Sequence, residues 1–279
     1  MPKQDATSIS QYYQSKSFWL ETCGDSLIPR PSLEESTVVD VAIMGAGFTG
    51  LWTAYYLSLQ NPSLEIAILE KEIAGFGASG RNGGWCLPGI SVSPSVAMER
   101  FGKDAAKAMY DGINDSVTEV GSVIEKENLS VDWTNGGSLR LAIGEHNLPI
   151  LEQSLEVYKK LGIENNYELL NQAETERRIR VHGVKGSILT KNSAVLNPGK
   201  LARQLARILE TRGVKIYEKS AVIDVKPGSG EELPQLVTDK AHIKARIAIV
   251  LAGEAYMSQL KSYRRRTIPM YSQIILTEP

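Results

Sequence analysis

Apolar residues along this chain gather in short unbroken runs and, between them, in helical spacing. Thr37 to Met44 reads TVVDVAIM, rich in β-branched residues and closed by glycine, and predicts a buried strand. From Phe48 to Leu59 the period changes: Leu51, Ala54, Tyr55 and Leu57 can face a sheet from one helix, and Asn61-Pro62 ends the run. Leu64 to Glu70, LEIAILE, predicts a second buried strand. Strand, helix and strand in so short a span make one βαβ unit, whose crossover forces the strands parallel.

Further along, a helix is predicted over Asp104–Asn128, with Ala105, Met109, Ile113, Val117, Val120 and Ile124 on its apolar stripe. Gly112 and Gly121 inside that helix imply close packing against a neighbour. Gly136–Ile143 reads as a strand, and Leu148–Leu161 as a helix with Pro149 near its start and Gly162 past its end. Asn197-Pro198 supplies the N-cap and first turn of another helix, with Leu201, Leu205, Ile208 and Leu209 on its apolar face and Gly213 closing it. Strands follow near Val214–Tyr217 and Ala221–Val225, then a surface turn at PGSGEE, and Ile243–Leu251 is the last buried strand. Residues 1–36 read as an arm whose aromatics, Tyr12, Tyr13, Phe18 and Trp19, pack on a later surface, with a turn where Pro29 and Pro31 flank Arg30. The class is α/β with an added α+β portion.

A chain of 279 residues is long for one domain, which predicts two intertwined domains. Its 31 Lys+Arg nearly balance 32 Asp+Glu, which argues against a nucleic-acid partner or a basic membrane-surface protein. The short Arg264-Arg265-Arg266 run reads as a solvated loop face. Two cysteines, Cys23 and Cys86, form neither a disulfide framework nor a metal-ligand spacing, and MPKQDATSIS lacks the apolar core of a signal peptide. Both favour a cytoplasmic location. Val41–Gln60 carries no charge, but its glycines and its change of period argue against a membrane span.

The chemistry begins at GAGFTG, with Gly45, Gly47 and Gly50 placed after a buried strand and at the opening of a helix. In that context Gly45 allows the tight turn, Gly47 lets backbone approach a pyrophosphate, and Gly50 lets helix pack on sheet. The helix N-terminus offers unpaired N–H groups to the phosphates. Glu70 stands at the end of the next strand, where an acid accepts hydrogen bonds from a ribose diol and repels a 2′-phosphate, so NADP is disfavoured. Five residues later comes GFGASGRNGG, Gly75 to Gly84, half of it glycine and with Arg81 its one charge. Five glycines there could cost about 2–5 kcal/mol relative to alanine, more than a simple turn requires. The stretch reads as backbone brought close to an anion, namely the same pyrophosphate met from its other side, with Ser79, Arg81 and backbone N–H groups donating.

VVDVAIMGAGFTGLWTAYYL followed by ILEKEIAGFGASGRNGG resembles the N-terminal region of the FAD-dependent oxidoreductases related to D-amino-acid and glycine oxidases, most of all enzymes of the γ-glutamylputrescine oxidase type. SFWLET, NGGSLRLA, AVLNPGKLARQLA, VLAGEAY and IPMYSQIILTEP extend the resemblance through the chain. It implies a Rossmann-type FAD-binding domain, residues 37–92 and 185–256, interleaved with a mixed α+β substrate domain, residues 93–184 and 257–279, which is incomplete here. By position, Gly45, Ala46, Gly47, Thr49 and Gly50 would line the pyrophosphate, and Glu70 would hold the adenosine ribose with Lys71 beside it. Ser79, Arg81, Asn82, Gly83 and Gly84 would reach toward the flavin, Val222 would meet the adenine through its backbone, and Ala252-Gly253 would close the loop beside the cofactor. Tyr271 and Gln273 match positions that open a strand near the substrate pocket.

The implied reaction is oxidation of the C–N bond of an amine or amino acid, γ-glutamylputrescine-like by that resemblance. A hydride passes to non-covalent FAD, the imine hydrolyses, and oxygen or another acceptor takes the electrons. Cys86 follows the glycine loop, but Trp85-Cys86 reads as packing rather than as a flavin attachment point. His146, His182 and His242 are scattered and form no catalytic set. The resemblance also implies a longer chain, since family members continue past the strand pattern in which Pro279 falls. Two alternatives stay open: a non-catalytic FAD-binding fragment, and an NAD-linked dehydrogenase, against which the second glycine loop argues.

Overall fold

A computed structural model describes residues 6–277, divided into two compact units: residues 1–83 with 197–279, and residues 84–196. The sequence placed boundaries near 92 and 185. The strand Val184–Thr190, not recognised from sequence, pairs with Ser138–Ile143 and Tyr167–Asn171, and Trp85–Cys86 pairs with Ala194–Val195, so residues 84–92 and 185–196 fall in the second unit, while 257–279 fall in the first.

The first unit is built on a six-stranded sheet in the order 224–226, 235–237, 242–251, 37–44, 66–69, 215–217. The last four strands run parallel, and the two short ones at the other edge are antiparallel. Thr37–Met44 lies between two parallel neighbours, which is why its sequence is apolar on both faces. The helix Phe48–Gln60 follows it and buries Leu51, Ala54 and Tyr55, with Leu57 half-buried. The helix Pro198–Thr211 opens with Asn197 accepting the Lys200 N–H at 3.0 Å and buries Leu201, Leu205 and Leu209; Gly213 follows at φ +85°.

The arm is part of this unit. Its helix Ala6–Gln14 buries Tyr13, which packs edge-on against Phe76 with ring centroids 5.7 Å apart. Trp19 Nε1 donates to the Asn82 carbonyl at 2.6 Å, whereas Tyr12 and Phe18 stay exposed. Behind them lies a buried carboxylate. Glu218 accepts from Arg30 Nη1 at 2.9 Å, Arg203 Nη1 at 3.0 Å, and the backbone N–H groups of Arg30 and Ala74 at 2.7 Å each. Arm, helix and glycine loop thus converge on one side chain.

The second unit has a three-stranded antiparallel sheet, 138–143, 184–190, 167–171, and a smaller one of strands 85–86, 194–195 and 134–135. Helices Pro94–Phe101, Lys103–Lys126 and Leu148–Leu161 belong to the same unit. Of the stripe expected on the long helix, Val117 and Ile124 are buried, Met109, Ile113 and Val120 are half-buried and Ala105 is exposed, while Ala106, Tyr110 and Val123 are buried beside them. Gly121 is tight, since a Cβ there would meet the Trp133 ring at 3.1 Å. Gly112 is not, with nothing within 4 Å, so the close packing expected there is absent. Residues 268–277 form no strand and are exposed. The strand expected to open at Tyr271 has no neighbour among the described residues to take its backbone hydrogen bonds.

An interior helical glycine with free space around it only loosens the unfolded chain. Gly112→Ala should therefore raise stability by about 0.4–1 kcal/mol in urea unfolding. A loss of stability would show that Gly112 packs against something after all.

Candidate cofactor site

A cleft of about 210 Å³ opens at the carboxyl ends of the parallel strands, where Met44, Leu69 and Ala252 line it. Open parallel sheets place ligands at this edge because loops diverge there and helix N-termini point in. Two glycine loops form its floor.

The first runs from Gly45 to Gly50. Gly45 has φ +101°, and a Cβ on it would lie 2.6 Å from the Ala252 carbonyl oxygen. A Cβ on Gly50 would lie 2.0 Å from the Gly45 carbonyl oxygen. Both positions exclude a side chain because backbone already fills the space. The helix Phe48–Gln60 starts here, and the N–H groups of Gly47 and Thr49 take no acceptor among the described residues. Those donors, with the positive end of the helix dipole, suit a phosphate.

The second loop copies the first. Gly75-Phe76-Gly77-Ala78-Ser79-Gly80 has the same G-x-G-x-x-G spacing. Gly75 has φ +82°, and a Cβ on Gly80 would lie 2.1 Å from the Gly75 carbonyl oxygen. Gly75 and Gly80 therefore serve the turn itself, not an approach to an anion. The loops are tied together: the Gly75 N–H donates to the Ala46 carbonyl at 3.0 Å, and the Phe48 N–H donates to Ser79 Oγ at 2.8 Å. Ser79 Oγ lies so near the first loop that a Cβ on Gly47 would come within 2.9 Å of it.

Glu70 locks the arrangement. Its Oε2 accepts the Ala46 N–H at 2.8 Å and its Oε1 the Glu72 N–H at 2.9 Å. Burial pushes its carboxyl up from the ordinary value, against the pull of those two N–H groups. Each carboxylate oxygen has a second lone pair, so holding the loop leaves room to accept a hydroxyl.

Of the residues singled out from sequence, Gly45, Gly47, Thr49, Glu70, Lys71, Ser79, Val222, Ala252 and Gly253 line the cleft. Ala46 and Gly50 are buried beneath it. Neither backbone group of Val222 takes a hydrogen bond among the described residues. Arg81, Asn82, Gly83 and Gly84 are not in the lining. Arg81 lies over the Phe76 ring, 4.6 Å from its centroid, and donates from Nη2 to Tyr256 Oη at 2.9 Å. Asn82 Nδ2 donates to the carbonyls of Ala78 and Ser79 and so closes the second loop. Gly83 is exposed, and the Gly84 carbonyl accepts the Leu196 N–H at 2.9 Å. Tyr271, 93% exposed, and Gln273 line no cavity described here. Trp85 is 73% exposed, so the packing role expected for it fails, while Cys86 is half-buried and burial raises its thiol pKa.

Sequence reasoning missed Tyr256 and Gln259, which close the cleft from the turn Glu254–Gln259. Gln259 Oε1 accepts from Lys71 Nζ at 3.2 Å. Their approach is purely tertiary and leaves no local signal. The second G-x-G-x-x-G, by contrast, was readable in the spacing alone.

This geometry agrees with the comparisons. The family model for FAD dependent oxidoreductases (DAO) matches residues 40–279. Gamma-glutamylputrescine oxidoreductase of Escherichia coli (strain K12) is 29% identical over 253 residues, covering 90% of this chain and 57% of the relative. Among solved structures, glycine oxidase from Geobacillus kaustophilus superposes with a TM-score of 0.62 at 22% identity, covering 81% of this chain and 58% of that one. L-amino acid deaminase from Proteus myxofaciens gives 0.68 at 20%, covering 86% and 51%. The fold is that of the FAD-dependent oxidoreductases. The chain belongs to the DAO family of FAD-dependent oxidoreductases, and it spans 57% of the length of that Escherichia coli relative. No helix among the described residues is long and apolar enough to cross a membrane.

The raised Glu70 carboxyl has a pH signature. A folded pKa above the unfolded one favours the fold while the group is protonated, and that contribution is lost as pH rises from 4.5, the ordinary value, through the folded value. Glu70→Gln does not titrate. The stability of the native chain minus that of the variant should therefore fall as pH rises above about 4.5 in urea unfolding. A difference that grows with pH would mean the two N–H groups outweigh burial.

Proposed function

We propose that this cleft holds the adenosine diphosphate part of FAD and that the protein oxidises the C–N bond of an amine or amino acid. The observation that carries the reading is the pair of interlocked G-x-G-x-x-G loops, with free N–H groups at the carboxyl edge of a parallel sheet. Gly45, Gly47 and Thr49 present backbone to the pyrophosphate, Glu70 accepts the ribose hydroxyls, and the Val222 backbone meets the edge of the adenine. An ordinary nicotinamide site needs only one such loop, so the second favours FAD. When bound, FAD supplies a hydride acceptor, after which the substrate imine hydrolyses in water and oxygen or another acceptor takes the electrons. A γ-glutamylputrescine-like amine is the first substrate to try, on the strength of a relative 29% identical. The active protein works in the cytoplasm on a small molecule, with no nucleic acid involved.

Arg81 supports the reading in a second way. It forms no ion pair among the described residues; its partners are the Phe76 ring face, the Tyr256 phenol and, through Nε at 3.4 Å, the Gly77 carbonyl. We assign it to the pyrophosphate, reached by a swing away from Tyr256, and we assign Asn82, Gly83 and Gly84 to the path toward the flavin.

The test begins with the visible spectrum of the purified chain and the identity of any released cofactor. Flavin bands with FAD released support the reading; released NAD sinks it. Arg81→Ala should then weaken FAD binding at least tenfold, as befits a charge-assisted contact, while the melting temperature without cofactor stays within about 3 °C. A large loss of apo stability with unchanged FAD affinity would make Arg81 a structural residue. Flavin that binds but is not bleached by amines or amino acids would favour a non-catalytic FAD holder.

A further inference from the structure

The second unit carries its own cavity, of about 310 Å³, and its lining shares no residue with the cofactor cleft. That volume lies at the lower end of small-molecule sites, about 300–1,000 Å³. Three features of the wall are unusual together.

Tyr158 and Tyr167 stack there with ring centroids 3.9 Å apart and planes 17° from parallel. Tyr110 joins them and donates from its hydroxyl to the Val92 carbonyl at 2.5 Å, which pins the loop forming the opposite wall. Burial, followed by Tyr158 and Tyr110, pushes the Tyr167 hydroxyl up to about 12, so that phenol stays neutral. The wall is therefore flat, aromatic and uncharged over much of its area.

Arg140 is the one charged residue in the lining, and no carboxylate pairs with it among the described residues. A guanidinium without an acid beside an aromatic wall is a ready anion receptor. Ser193 supplies the independent sign of a missing partner. It is 1% exposed, it lines the cavity, and its Oγ has no hydrogen-bond partner. A buried hydroxyl left unpaired costs about 1–3 kcal/mol, a cost a ligand atom would remove.

We propose that this cavity is a binding site for a small aromatic carboxylate, its carboxylate on Arg140, its ring against the tyrosines, and a polar atom within reach of Ser193. A cationic ligand is excluded by Arg140, and a purely apolar one leaves both Arg140 and Ser193 unanswered. The site goes beyond the cofactor reading and does not depend on it.

Benzoate and its uncharged isostere benzamide test the proposal by titration calorimetry on the whole chain, without FAD and with FAD at saturation. Benzoate should bind in both conditions with the same affinity within twofold, and benzamide at least tenfold more weakly. Arg140→Gln should cost benzoate at least tenfold; Arg140 is exposed, so the variant should fold, which far-ultraviolet circular dichroism checks. Ser193→Ala should weaken binding while leaving the empty protein as stable or more so. The proposal is overturned by equal binding of benzamide, by an indifferent Arg140→Gln, by benzoate binding that FAD abolishes or alone creates, or by no benzoate binding at about 1 mM.

Discussion

The first unit depends on backbone lying where a side chain would otherwise be. The Gly45 carbonyl fills the Cβ position of Gly50, and the Gly75 carbonyl fills that of Gly80. Two consequences follow from that contact. Strand and helix come close enough for the helix N-terminus to open onto the sheet edge, where the Gly47 and Thr49 N–H groups take no acceptor among the described residues. The loops then stabilise one another, since Ala46 and Phe48 in the first exchange hydrogen bonds with Gly75 and Ser79 in the second. Losing either loop would leave the other without its partners.

Behind the loops, charge does the fastening. Glu218 is fully buried, which is costly for a lone carboxylate, yet it meets two guanidinium groups and two N–H groups. One of those N–H groups belongs to Ala74, immediately before the second loop. Arg30 continues outward to Glu210 with two hydrogen bonds of 2.8 Å, so the arm is bolted to the helix Pro198–Thr211. A buried pair of this kind gives geometric definition more than net stability, and here the definition falls on the loop that lines the cleft.

Much of this was legible in sequence, for identifiable reasons. Thr37–Met44 and Leu148–Leu161 have the limits expected of them because glycine or proline marks their ends and their periodicity is unmixed. Val184–Thr190 was missed because glycine and serine interrupt its apolar pattern; Ser187 is buried only because Thr175 is there to share a hydrogen bond. The helix Gln172–Arg178 did carry a readable signal, the capping box of Asn171 and Glu174, as did Pro94–Phe101 with Ser93 before proline. In the site, the glycines and Glu70 were legible because their roles follow from backbone geometry. Tyr256 and the resting place of Arg81 were not, because they follow from a turn formed 175 residues later in the chain.

The charge balance of the cleft explains why so much of it is backbone. Glu70, Glu72 and Glu254 line it against one cationic side chain, Lys71. Glu72 is neutralised by Lys219 at 2.7 Å, and Glu70 is engaged by N–H groups, but neither contributes positive potential. A diphosphate entering here would be held mainly by oriented amides and a helix dipole, joined on the proposed reading by Arg81. Amides fixed by the fold need no reorganisation to receive an anion, whereas flexible lysines would have to be ordered at each binding event. On that reading the same acidic lining would disfavour an additional phosphate on the ribose. On the proposed reading, the glycines that look extravagant as turn residues are what would let an acidic cleft receive an acidic cofactor.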